Sequence, residues 1–223
     1  MSLVELLGEE FLGSEHCLRA FTHRSVSSKN NERLEFLGDS LLGFFVADWL
    51  FKHFPTYPEG DLTRVRAHLV RKDTLADIAR EYDLGNHLVL GAGELKSGGV
   101  RRSSILADAL EALIGAVYLA KGFESACSFI EKLYKNRFEN IPTMEQLKDA
   151  KTRLQELLQS NGQELPIYKI VEKHGKSGNE TFSVQCVIEG SQETFVGTGT
   201  SRRKAEQEVA AFAYEYISKQ SNS

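Results

Sequence analysis

Asn31-Glu32-Arg33-Leu34-Glu35-Phe36-Leu37-Gly38-Asp39-Ser40 is the stretch on which the reading of this chain turns. Apolar residues at helical spacing predict a helix, and on it Glu35 and Asp39 project from one face, one turn apart, with Glu32 on the same stripe. A second acidic cluster, Asp108-Ala109-Leu110-Glu111, lies inside Ile105 to Leu119, a segment close to apolar on every side. Such a segment predicts a buried central helix, with Ser104 as its N-cap. Gly38 and Gly43 are expected to permit close helix approach beside the first acids. Few basic residues lie near these carboxylates in sequence, and a buried carboxylate costs several kcal/mol unless it is paired or coordinated. Two readings stay open on spacing alone. Either these are solvated acids on amphipathic helices, or they converge on a divalent cation. Hard oxygen donors without His or Cys then favour Mg2+ or Mn2+ over zinc.

Working outward, the 223 residues suffice for one large or two small domains. Up to about residue 140 the pattern is almost entirely helical, broken at Pro55, Pro58-Glu59-Gly60 and Gly98-Gly99. Ile141 to Gln146 reads as a linker. Beyond it the periodicity predicts a helix over 148–160, strands near 168–171, 182–188 and 194–196, and a last helix from about Ser201. The middle strand alternates, with Phe182, Val184, Cys186 and Ile188 on one face. The last helix is expected to turn Ala205, Val209, Phe212, Ala213 and Tyr216 inward. The fold class expected is an all-α domain, residues 1–144, followed by a small α+β domain of α-β-β-β-α order, residues 145–223, with the linker at about 141–148.

The net charge of −4 argues against nucleic acid only until it is divided. Residues 148–223 carry 10 basic and 10 acidic side chains, so the excess acidity belongs to the front of the chain. In the back, positive charge clusters at Arg202-Arg203-Lys204 and around Lys173 and Lys176. Leu41 to Phe51 is too short and, with Asp48, too charged to span a membrane, and Glu5, Glu9 and Glu10 interrupt any leader pattern. Cys17, Cys127 and Cys186 are scattered and odd in number, which predicts a reducing, cytoplasmic setting.

The stretch 31–40 resembles the signature of the ribonuclease III family at every position. Thr22-His23-Arg24-Ser25, Glu59-Gly60-Asp61, Gly93-Glu94-Leu95-Lys96-Ser97-Gly98-Gly99 and Leu106-Ala107-Asp108-Ala109-Leu110-Glu111-Ala112 extend the resemblance in order. It implies a Mg2+-dependent endoribonuclease, with Mn2+ able to substitute, that cuts double-stranded RNA. Glu35, Asp39, Asp108 and Glu111 would be the metal ligands, Asp39 and Glu111 the most sensitive catalytic positions, and Glu32 and Glu59 would support substrate or metal binding. The implied reaction has no covalent intermediate: a metal-activated water leaves 5′-phosphate and 3′-hydroxyl ends. The resemblance also implies a homodimer, with Phe36 in the interface. Two equivalent sites would then make staggered cuts in the maturation of ribosomal precursors and messages. The other apolar residues of this helix, Leu37, Phe44, Phe45 and Trp49, read as ordinary core. His23 reads as a helix-flanking residue rather than a general base.

The back of the chain resembles a double-stranded-RNA-binding domain, through Lys151-Thr152-Arg153-Leu154-Gln155-Glu156 and Gly197-Thr198-Gly199-Thr200-Ser201-Arg202-Arg203-Lys204-Ala205-Glu206. Such domains read A-form shape over about 16 base pairs. The RNA-binding residues implied are Lys151, Gln155, Gln159, Ser201, Arg202, Arg203 and Lys204. The loop 174–180 departs from the usual pattern, with His174 and Lys176 displaced, so no contact is assigned to it.

Overall fold

A computed structural model describes residues 3–175, 180–191 and 193–221. Lys176, one of the clustered cations of the sequence, lies outside them. The chain divides into two compact units, Met1–Pro142 and Thr143–Ser223.

The first unit is helical. Short helices α1 (Leu3–Leu7), α2 (Glu9–Leu12) and α3 (Glu15–Phe21) lead into α4 (Glu32–His53), α5 (Glu59–Leu69) and α6 (Lys72–Glu81). A one-turn α7 (Ala92–Lys96) precedes α8 (Ser103–Lys121) and α9 (Phe123–Glu139). The inward stripe of α4 is every fourth residue, Leu34, Gly38, Leu42, Val46 and Leu50. Each fully buried aliphatic side chain there contributes roughly 2 kcal/mol. The other apolar residues of α4 that the sequence assigned to the core lie off this stripe. Leu37, Phe45 and Trp49 are half-buried and Phe44 is exposed, because they fall outside the stripe that meets α8.

Helix α8 is buried along most of its length among α3, α4, α6 and α9. By length and composition it is apolar enough to cross a bilayer, but most of it is covered inside the domain, as for a core helix. Its start differs from expectation. Arg102 holds the N-cap position and Ser103 opens the helix, its hydroxyl accepting from Arg80 Nη2 at 2.7 Å. Glycine sets the distance between α4 and α8. A Cβ built on Gly38 would lie 1.8 Å from the Glu111 carbonyl oxygen, and one on Gly115 would lie 2.4 Å from that of Leu34. Gly43 plays no such part, since a Cβ there meets nothing within 4 Å.

In the second unit a capping box on Thr143 starts α10 (Met144–Leu147), inside the stretch read as linker. Next come α11 (Ala150–Ser160), β1 (Ile167–His174), β2 (Thr181–Val187), β3 (Phe195–Gly199) and α12 (Arg202–Ser221). The expected α-β-β-β-α order is present, with a short extra helix before it. The strands form an antiparallel sheet in the order β1-β2-β3, with an irregularity between Ile170 and Glu172. Val184 pairs with Ile170 on one side and Gly197 on the other. Val184, Cys186 and Ile188 meet Leu154 and Leu158 of α11 and Ala205, Val209 and Ala213 of α12 in one core. Phe212 was expected there but is exposed. Ala210 and Ile217 join Ala205, Val209 and Ala213 on the inward face instead, as the turn of α12 requires. Gly197 and Gly199 lie directly under α12, where a Cβ would come within 2.5 Å of the Val209 and Ala205 amide nitrogens.

Candidate metal centre and nucleic-acid interface

The crossing of α4 and α8 places acids from both helices together. Glu35, Asp108 and Glu111 each bring one carboxylate oxygen within 4.8 Å of the others. Glu111 is buried, at 8% exposure, on the inward face of α8. Burial pushes its carboxyl up, and the charges of Asp39, Glu35 and Asp108 push it further, to about 8, with Lys72 opposing them. Glu35 is raised in the same way, by burial first and then by Asp108, again against Lys72. Asp39 is exposed and outside the tight trio, but its charge acts on both Glu111 and Glu35. Clustered, partly desolvated carboxylates without a His or Cys among them suit a hard divalent cation.

The two supporting acids part company. Glu32 stays beside the trio and its charge acts on Glu35. It accepts from Arg24 Nη1 and from Asn30 Nδ2, each at 3.2 Å. A cleft of about 290 Å³ runs past Arg24, Glu32, Glu35, Arg102 and Asp108. Glu59 is exposed at the start of α5, where it accepts from Thr63 Oγ1 at 2.7 Å and lies outside the trio. His23 is tied to Ser25, Nδ1 to Oγ at 2.8 Å.

Sequence reasoning missed Lys72. At the first position of α6, its Nζ donates to Asp108 Oδ1 at 3.1 Å, across 36 residues of chain. No local pattern announces such a pair. It also missed Glu206, although the spacing of Arg202 and Glu206 on a helix is a usable signal.

In the second unit, Gln155 and Gln159 are exposed on α11, and Arg203 and Lys204 are exposed at the start of α12. Ser201 Oγ accepts the Lys204 amide at 3.3 Å and so caps that start. Lys151 and Arg202 are differently placed. Both hold Glu206, at 2.8 and 2.7 Å, and Lys151 Nζ also lies 4.3 Å from the centre of the Tyr168 ring. Burial pushes the Glu206 carboxyl up, but hydrogen bonds from Lys151 and Arg202 outweigh it and hold it below the usual range. Arg203 and Lys204 make no salt bridge among the described residues, which leaves their charge facing outward.

Residues 14–138 match the family described as Ribonuclease-III-like, and residues 150–217 match the double-stranded RNA binding motif. The chain is 53% identical over 206 residues to Ribonuclease 3 of Buchnera aphidicola subsp. Schizaphis graminum, covering 92% of this chain and 91% of that one. It is 51% identical over 215 residues to Ribonuclease 3 of Vibrio cholerae serotype O1, covering 96% of each. Among solved structures, the nuclease domain of ribonuclease III from Campylobacter jejuni superposes with a TM-score of 0.57 at 40% identity, covering 61% of this chain and 99% of that one. A 2.2 Å crystal structure of the same nuclease domain gives 0.56 at 41% identity, covering 64% and 100%. With a nuclease unit that joins acids from two crossing helices and a unit matching the double-stranded RNA binding motif, this chain belongs to the ribonuclease III family.

Proposed function

We propose that the protein is an endoribonuclease that hydrolyses double-stranded RNA with Mg2+, for which Mn2+ substitutes, leaving 5′-phosphate and 3′-hydroxyl ends. The observation that carries this reading is the Glu35, Asp108 and Glu111 trio, with oxygens within 4.8 Å, on the buried seam between α4 and α8. With Asp39 these residues would hold the cation, which when bound activates water and offsets charge on the phosphate. With burial and the neighbouring acids pushing the Glu111 carboxyl up to about 8, binding of a cation there would be coupled to proton release. Glu32, held by Arg24 and Asn30, borders the cleft and would help position the backbone. Glu59 could serve only a different part of the substrate path.

The second unit would supply duplex recognition through Gln155 and Gln159, suited to 2′-hydroxyl contacts, and through the start of α12. There free amide groups and the outward Arg203 and Lys204 favour phosphate. Arg203→Ala combined with Lys204→Ala is expected to weaken duplex binding and to reduce the slope of log affinity against log salt by roughly two, one per lost phosphate contact. A filter-binding series over salt checks this, and an unchanged slope removes both residues from the RNA surface.

The active assembly would be a homodimer, since Phe36 is 77% exposed on α4 as a large apolar side chain in need of cover. The similar Campylobacter jejuni nuclease domain has a region involved in dimer formation. Phe36→Asp is expected to convert the dimer to monomer in analytical ultracentrifugation and to lower cleavage in parallel. A dimer that survives the change moves the interface elsewhere. Three unpaired cysteines agree with a cytoplasmic role in processing ribosomal precursors and messages. The deciding assay incubates a defined duplex with and without Mg2+ and maps both cut ends. Duplex bound but never cut defeats the enzyme reading, and preference for small phosphoesters defeats the substrate.

A further inference from the structure

We propose that Lys72 is a tethered cation of the acidic trio, which competes with the divalent cation for Asp108 and thereby sets how tightly that cation is held; this rests on the metal centre proposed above. Lys72 Nζ donates to Asp108 Oδ1 at 3.1 Å. Its charge also reaches Glu35 and Glu111, the other two members of the trio. One ammonium thus stands against all three carboxylates that would bind the cation.

The backbone under Lys72 is fixed. Leu75, Ala76, Ile78 and Ala79 of α6 are buried, and the preceding turn is tied by Thr74 Oγ1 to the His68 carbonyl at 2.9 Å. The side chain itself is 66% exposed, so its four-carbon stem can swing the ammonium out into water at small cost. A divalent cation bound by Asp108 would repel the ammonium and compete for the same oxygen. Loading therefore includes withdrawal of Lys72, and the lysine acts as a built-in competitor. It neutralises part of the acidic seam when no cation is there and raises the cation concentration needed to fill it. Lys72 acts through Asp108, by competing for its carboxylate, and takes no direct part in the chemistry.

The test is Mn2+ binding to the full-length protein, followed by the electron paramagnetic resonance signal of free Mn2+, without RNA. Lys72→Gln is expected to tighten Mn2+ binding by roughly threefold to tenfold, the scale of a partly exposed charge facing a divalent ion. Lys72→Arg keeps the charge and is expected to stay within about twofold of the parent. Melting adds an independent readout: the Mn2+-induced rise in Tm should be larger for Lys72→Gln than for the parent. Unchanged or weaker Mn2+ binding by Lys72→Gln overturns the proposal, because the lysine would then orient Asp108 rather than compete for it. Asp108→Asn and Glu111→Gln separate the two ideas. If they leave Mn2+ binding untouched, the metal centre itself is misplaced. If they abolish it while Lys72→Gln changes nothing, only the role of Lys72 fails.

Discussion

Glu111→Gln is expected to leave duplex affinity within about twofold of the parent and to lower cleavage by roughly a thousandfold or more. The amide has the shape of the carboxyl, so the crowded seam beside Gly38 and Gly115 needs no rearrangement. It cannot carry the negative charge that a cation requires. The double-stranded RNA binding motif occupies residues 150–217, outside the helical unit that contains Glu111, so binding and cutting should separate. Loss of both together would make Glu111 a structural residue.

The same substitution has a signature in stability. Burial, then the charges of Asp39, Glu35 and Asp108, raise the Glu111 carboxyl from 4.5 to about 8. Between those values the folded chain binds one more proton than the unfolded chain. Stability contributed by this group is therefore fully present below the unfolded value, falls as pH rises through the window, and levels off above about 8. Urea unfolding in chelator across that window should show this decline in the parent and a flatter profile in Glu111→Gln. Saturating Mn2+ should flatten the parent as well, since the cation then holds the charged form. An identical decline in the variant would assign the slope to other groups.

Gly38→Ala is expected to destabilise the helical unit by about 3 kcal/mol or more, beyond the usual cost of an added methyl. The new Cβ would stand 1.8 Å from the Glu111 carbonyl oxygen, a backbone atom that no rotamer change can move aside. Relief requires separating α4 from α8, which also separates Glu35 and Asp39 from Asp108 and Glu111. Cation affinity and cleavage should therefore fall with stability, although no acid has been altered. Gly115→Ala attacks the same crossing from the other side, with its Cβ 2.4 Å from the Leu34 carbonyl oxygen. The double variant should cost less than the sum of the two, because helices already forced apart have room for the second methyl. Denaturant midpoints of the four proteins form the cycle. A mild, additive pair would mean that the helices do not touch through these glycines.

The helical spacing of Glu35 and Asp39, the apolar run around Asp108 and Glu111, and the alternation from Phe182 to Ile188 are local patterns, legible in the chain alone. Local periods of 3.6 and 2 are properties of the chain itself. Phe44 and Phe212 show where that legibility stops. Each lies near an apolar stripe, yet each is exposed, because the choice of inward face is made by the neighbouring helix or sheet. Lys151 and Arg202 make the same point for charge. The sequence presents them as equal members of a basic set with Arg203 and Lys204, and the fold turns both onto Glu206.

The acids, their helices, the order of the two units and the family resemblance that assigns them a substrate can all be read along the chain. It takes the packed fold to bring Glu35, Asp108 and Glu111 to one point while leaving Glu59 out, to hold the two helices at contact distance through glycines, and to set Lys72 facing the trio. The reason is range. Spacing along a chain specifies which side of one helix a residue occupies, whereas the distance between carboxylates 76 residues apart depends on how closely two backbones can approach.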